Sequence, residues 1–215
     1  MKSTKFDTKK IVGIAVFAAL AFGVTFIFRI PVMFLTFDAK DAILVVASFI
    51  YGPIAAVVMS LIISLLEISI SETAIIGAIM NFISSVTFAG IASLIYKRKR
   101  TFNGALIGLF TSVAVTTAVM MLMNILITPF YMGVERSVVI SMLPTVLLPF
   151  NFAKTLMNGA IAMLIYKPVA IALRRAKLLD GKSMDTKFGK QSVITIILGT
   201  VSLAVAITVF IILNT

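Results

Sequence analysis

The chain has 215 residues, 60% hydrophobic and only 13% charged, with a mean hydropathy of +1.14. A soluble domain is nearer half apolar and about a quarter charged, so too little polar surface is present to cover a soluble globule, and the bilayer is the natural solvent. The net charge of +11 sits in short clusters between apolar runs, which fits cytoplasmic loops and argues against a nucleic-acid surface. Cysteine and histidine are absent, which excludes disulfides, thiolate nucleophiles and imidazole ligands.

The first apolar segment, 11–30, follows Lys2, Lys5, Lys9 and Lys10. It is long, is followed by further spans, and reads as a retained membrane helix rather than a signal peptide. Its Ala15, Ala19 and Gly23 recur at four-residue spacing, a stripe that lets another helix approach closely. Alanine is also simply common in membrane helices. The next apolar segment, 42–66, contains Gly52-Pro53, and Gly-Pro punctuates a helix. If this segment crosses once and the N-terminus is cytoplasmic, Lys97-Arg98-Lys99-Arg100 and Arg174, Arg175 and Lys177 fall outside, against the positive-inside rule.

Splitting it at Gly52-Pro53, into crossings 39–51 and 53–70, returns every basic cluster to the cytoplasm. Arg29, Lys40 and Arg136 then stay outside, beside Asp38, Asp41, Glu72 and Glu135. The 39–51 piece would span about 20 Å, which suits a tilted helix packed among neighbours. A single helix kinked at Pro53 is the alternative. Segments 74–96, 103–127 and 146–173 complete six crossings, and a seventh follows at 192–213. The expected fold is an all-α integral membrane protein. Residues 1–177 form a six-helix membrane domain, 178–191 a polar cytoplasmic linker, and 192–215 an additional C-terminal transmembrane helix.

Polar residues inside spans are the functional candidates in a membrane protein. The split topology brings Glu67, Asn81, Asn124, Asn151 and Lys154 to the outer ends of their helices, beside the outer loop 31–41 with Asp38 and Asp41. Such clustering suggests a pocket open to the outside. Asn151 and Lys154 are three apart and share a helical face. Asn supplies donors and an acceptor and Lys three donors, a set suited to a flat heterocycle with alternating N–H and C=O groups. Phe34, Phe37, Phe82, Met123, Phe130 and Phe150 are candidates for its apolar walls. Each residue also has an ordinary role: Asn as interhelical glue, Lys154 snorkelling to the interface, Asp38 and Asp41 capping a helix, the rings packing.

Chemistry of other kinds finds little support. Gly181-Lys182-Ser183 resembles the end of a phosphate-binding loop, but Ala176 stands where the first Gly belongs and a membrane helix precedes it. Uphill transport would therefore draw on another subunit or an ion gradient. The last span holds no lysine for a retinal Schiff base, and Asp38 with Asp41 alone is a weak divalent-ion site. Recognised catalytic spacings are absent, so an enzyme is not expected.

Five stretches carry a family resemblance: FLTFDAKD at 34–41, YGPIA at 51–55, GAIMNF at 77–82, MNILITPFY at 123–131 and LPFNFAK at 148–154. In this order they resemble the S components of energy-coupling factor (ECF) transporters, and among them the riboflavin-specific ones, over about residues 8–178. The resemblance implies a six-helix fold that binds riboflavin near its outer face. It nominates Asn124, Asn151 and Lys154 as ligand contacts, then Leu35, Thr36, Phe37 and Asn81. It also implies that Ala15 and Ala19 dock a transmembrane coupling subunit driven by two ATPases. Another small vitamin, or a flavin relative such as FMN, is the alternative ligand. Where the family carries Lys-Asn on the third helix, this chain has Ile63-Ser64, which implies the loss of one polar contact. The seventh span lies beyond the usual six.

Overall fold

A computed structural model of the chain describes residues 8–69, 74–176, 178 and 190–214. Lys2, Lys5, Glu72, Lys177 and the linker charges from Asp180 to Lys187 lie outside the described residues. Helix α1 (Thr8–Ile27) leads into a hairpin of β1 (Arg29–Val32) and β2 (Leu35–Asp38). Then come α2 (Lys40–Tyr51), α3 (Pro53–Glu67), α4 (Ala74–Arg98), α5 (Phe102–Met132), α6 (Arg136–Met142), α7 (Leu148–Arg175) and α8 (Lys190–Asn214).

The break between α2 and α3 falls where Gly52 and Pro53 place it. Gly52 has φ 95°, a left-handed conformation that side chains disfavour, and Pro53 opens α3, where its missing N–H costs nothing. The two helices are antiparallel, because Lys40 at the start of α2 meets Glu67 at the end of α3. They are also short: 12 and 15 residues rise about 18 and 22 Å. Neither covers the ~30 Å of hydrocarbon alone; α2 packs among α1, α3, α4 and α7, while α3 packs against α1, α2 and α4 and leaves its other side exposed. Helices α1, α4, α5, the run from α6 through α7, and α8 are each long and apolar enough to span. The chain is a multi-pass membrane protein.

Three local features differ from the sequence expectation. Residues 29–38 form a hairpin in place of a helix end and loop, with Arg29 opposite Asp38 and Val32 opposite Leu35. Met33 turns the corner at φ 55°. Helix α5 does not stop at 127 but runs through Pro129 and ends at Gly133, whose φ of 64° and N–H to the Pro129 carbonyl close it. The last segment of the six begins ten residues early, as α6. It joins α7 through a π-helical turn at Leu143–Leu147, where Leu148 N–H donates to the Leu143 carbonyl.

Small buried residues set the helix spacing. Ala18, Ala21, Ala42, Ala47, Ala55, Ala56, Ala89 and Ala92 sit in the main core. In lipid, close packing of this kind replaces the hydrophobic effect as the force between helices. Gly108 shows how tight it is, since a Cβ there would stand 2.7 Å from the Ala92 carbonyl oxygen.

If α2 and α3 are separate crossings, three crossings separate the hairpin from the α4–α5 turn. In sealed vesicles, an impermeant thiol reagent should reach Met33→Cys and Lys99→Cys from opposite sides. Labelling of both from one side would mean a single crossing over 39–70.

Candidate functional site

The helix ends that carry the hairpin converge on a cleft of about 180 Å³. Its polar lining includes Asp38, Glu67, Asn81, Asn124, Asn151 and Lys154. Arg29, Leu35 and Thr36 reach it from the hairpin, and Thr25 from the end of α1. Phe34, Phe150, Tyr131, Met80 and Met120 supply apolar surface, with the rings of Phe34 and Tyr131 6.4 Å apart.

Beneath the cleft lies a buried ionic network. Lys40 Nζ donates to Glu67 Oε1 at 2.6 Å and to Asp38 Oδ2 at 3.4 Å. Lys154 Nζ donates to the same Asp38 oxygen at 3.0 Å and to the Thr36 carbonyl at 3.3 Å. Asn81 Nδ2 donates to the other Glu67 oxygen at 2.9 Å, and Ser85 Oγ donates to Asp41. Asn158 fastens the layers. Its amide donates to the carbonyls of Asp38 and Lys154, and its oxygen accepts from Ala42 N–H at 2.8 Å.

The charged groups of the network are buried, and charges leave water only at a high cost that well-made pairs offset. Burial by itself pushes the Asp38 carboxyl up. Lys154 and then Lys40 overcome this and hold it at about 2, below the ordinary 3.8.

Several polar groups retain capacity for a ligand. Two contacts engage Lys154 Nζ, and an ammonium has a third N–H. Asn151 donates once to the Leu147 carbonyl, and Asn124 donates to Met120 and accepts from Thr128. In each amide a second N–H remains. The cleft therefore offers convergent donors and acceptors between apolar walls, a composition suited to a planar, polar-edged molecule.

The structure places most of the nominated residues together. Asn81, Asn124, Asn151, Lys154, Leu35 and Thr36 all line the cleft. Phe37 does not: strand alternation turns it to the hairpin's other face, where it is buried against Phe210 at 5.0 Å. Among the expected apolar walls, Phe34 and Phe150 line the cleft, whereas Phe82, Met123 and Phe130 do not, and Phe130 is 77% exposed. Lys154 does not snorkel, since Asp38 holds it inside. Lys40 is no outer loop charge but sits buried in the network. Ile63 and Ser64 are buried away from the cleft lining.

Asn158 was missed, although it lies on the same helical face as Asn151 and Lys154, four residues beyond the latter. Tyr131 and Arg29 were missed because their placement depends on the extended α5 and on the hairpin. On α1, Phe17, Ala18 and Ala21 face the bundle, while Ala15, Ala19 and Gly23 are exposed.

A membrane bundle with a small-molecule cleft at one end defines a membrane-embedded solute-binding protein. The chain matches the profile "ECF transporter, substrate-specific component" over residues 9–170, and it belongs to that family. Membership makes it a transporter component, in a family that is not one of enzymes and that works with other ECF subunits. The chain is similar to the riboflavin transporter RibU of Staphylococcus aureus (strain TCH60), with 30% identity over 79% of this chain and 94% of that protein. It is also similar to the riboflavin transporter FmnP of Bacillus subtilis (strain 168), at 27% identity over 74% and 90%. A solved structure of the S component of a bacterial ECF transporter superposes with a TM-score of 0.67 at 29% identity. That match covers 78% of this chain and 99% of the other.

Two predictions follow from the network. Lys154→Met alone should destabilise the protein in detergent, by at most about 3–5 kcal/mol, because it leaves the buried Asp38 carboxylate only the longer contact to Lys40. Adding Asp38→Asn should recover part of that loss in a thermal or denaturant melt, and simple additivity would contradict the pairing. Second, the Asp38 value is depressed on folding, so its contribution to stability is full above pH 3.8 and is lost as pH falls through about 2. Acid titration of the wild type should show this loss, and Asp38→Asn should lack it.

Proposed function

We propose that this chain is the riboflavin-binding S subunit of an ATP-driven ECF importer. The observation that carries the reading is the convergence of Asn81, Asn124, Asn151 and Lys154 around one cleft with aromatic walls, in a chain whose relatives are riboflavin transporters. A flavin ring is flat, and its pyrimidine edge alternates carbonyl, N–H and carbonyl. Asn124 and Asn151 match such an edge, and the free N–H of Lys154 serves a ring carbonyl or nitrogen. Leu35, Thr36 and Phe34 close the hairpin over the ring, with Phe37 supporting them from behind. Asn81 is placed for a hydroxyl of the sugar-alcohol chain. Bound water leaves the cleft, and the amide and ammonium groups replace its hydrogen bonds, which gives selectivity for a polar-edged ring over an apolar one.

Orientation follows from charge. Lys9, Lys10, Lys97–Arg100, Arg174 and Arg175 cluster at the end opposite the cleft. In a bacterial plasma membrane the positive-inside rule makes that end, and the N-terminus, cytoplasmic, and opens the cleft to the outside. The chain through α7 is the substrate-binding unit, and α8 is an added crossing. The exposed Ala15 and Ala19 on α1 form the docking face for the transmembrane coupling subunit, and two ATPase subunits supply the energy. A second reading, FMN as ligand, draws on Arg29 in the cleft lining, a cation placed to meet a phosphate.

The roles separate in cells that cannot make riboflavin. Asn151→Ala should weaken riboflavin binding about tenfold or more, the loss expected for an unpaired polar contact. Ala19→Leu should leave binding intact and abolish uptake, because it blocks docking without touching the cleft. Uptake that persists in Ala19→Leu removes the docking assignment, and unchanged binding in Asn151→Ala removes the contact. If FMN is the ligand, Arg29→Gln weakens FMN and spares riboflavin.

A further inference from the structure

The family match ends at residue 170, so α8 lies wholly beyond it. The same helix is nonetheless built into the back of the cleft. Leu203, Ala206, Phe210 and Leu213 recur at three- and four-residue spacing and form one face. This face packs on Val32, Leu35 and Phe37 of the hairpin and on Phe150, Ala153 and Met157 of α7. The buried Phe210 ring lies 5.0 Å from Phe37 and 5.8 Å from Phe150.

Both neighbours lead directly to the cleft. Phe150 lines it. Phe37 lies in β2 between Thr36 and Asp38, which both line it, and alternation along a strand points Phe37 the other way. A two-stranded hairpin is marginal alone, so its position depends on what holds each side. On the cleft side the tie is Asp38 to Lys154. On the back, the Phe210 ring of α8 lies against Phe37.

We propose that α8 is a positioning element for the substrate site, in which Phe210 braces the hairpin from behind and slows ligand release. The braced hairpin stays in its closed position without ligand. Less order is then lost on binding, and the hairpin swings open less often. The use of riboflavin as probe rests on the proposed function, whereas the effect on the hairpin does not.

The chain has no cysteine, so Met33→Cys carries a single spin label on the exposed hairpin turn of the full-length protein. Phe210→Ala in that background should mobilise the label without ligand. It should also speed riboflavin dissociation about tenfold while association stays within about twofold, the split expected when contacts rather than encounter are lost. Phe210→Leu should fall between the two, and Val205→Ala, on the exposed face of α8, should match the parent. A folded Phe210→Ala with parental label mobility, or with parental dissociation, overturns the proposal. Should Phe210→Ala not fold, parental values in Phe210→Leu overturn it equally. If the parent does not bind riboflavin, the flavin reading fails, and label mobility alone decides the role of α8.

Discussion

The contact on which the site depends is the buried ion pair between Asp38 and Lys154, 116 residues apart. It joins the hairpin after α1 to the long helix α7, and so fixes the only strand pair among the described residues. Lys40 and Glu67 continue the pair into α2 and α3. Removing any member leaves a charge in a medium that tolerates none, so the network is costly to break even where each pair contributes little net stability. Its value is geometric: several chain segments meet at one end in one arrangement.

That arrangement explains why binding groups and structural groups are interleaved. Lys154 holds the hairpin with two N–H groups and retains a third for the cleft. Asn81 donates to Glu67 and also lines the cleft. A ligand therefore meets side chains whose orientation is already set, which lowers the ordering cost of binding. The same interleaving means that a substitution at Lys154 alters both stability and affinity, whereas Asn151, whose side chain bonds to the adjoining turn at Leu147, separates the two.

Much of this was legible in the sequence because two simple constraints agree. Charge asymmetry demanded an extra crossing, and Gly52-Pro53 supplied its place. The polar residues then fell at one end, where the structure joins Glu67, Asn81, Asn124, Asn151 and Lys154. The hairpin was not legible. Arg29–Asp38 has the apolar content of a helix end, and the side chains packed behind the hairpin, Phe150 of α7 and Phe210 of α8, lie far off in the sequence. Phe37 was misassigned for that reason, since without a strand there is no alternation to turn it away from the cleft. The burial of Lys40 was hidden as well, because its partners lie on other helices.

Fluorescence titration of the detergent-purified chain decides whether the cleft is a riboflavin site. Riboflavin fluorescence should be quenched saturably, with one site per chain, and the protein isolated from flavin-containing cells should be yellow. A colourless protein that leaves riboflavin fluorescence unchanged would contradict the claim, while leaving the S-component fold in place for another vitamin.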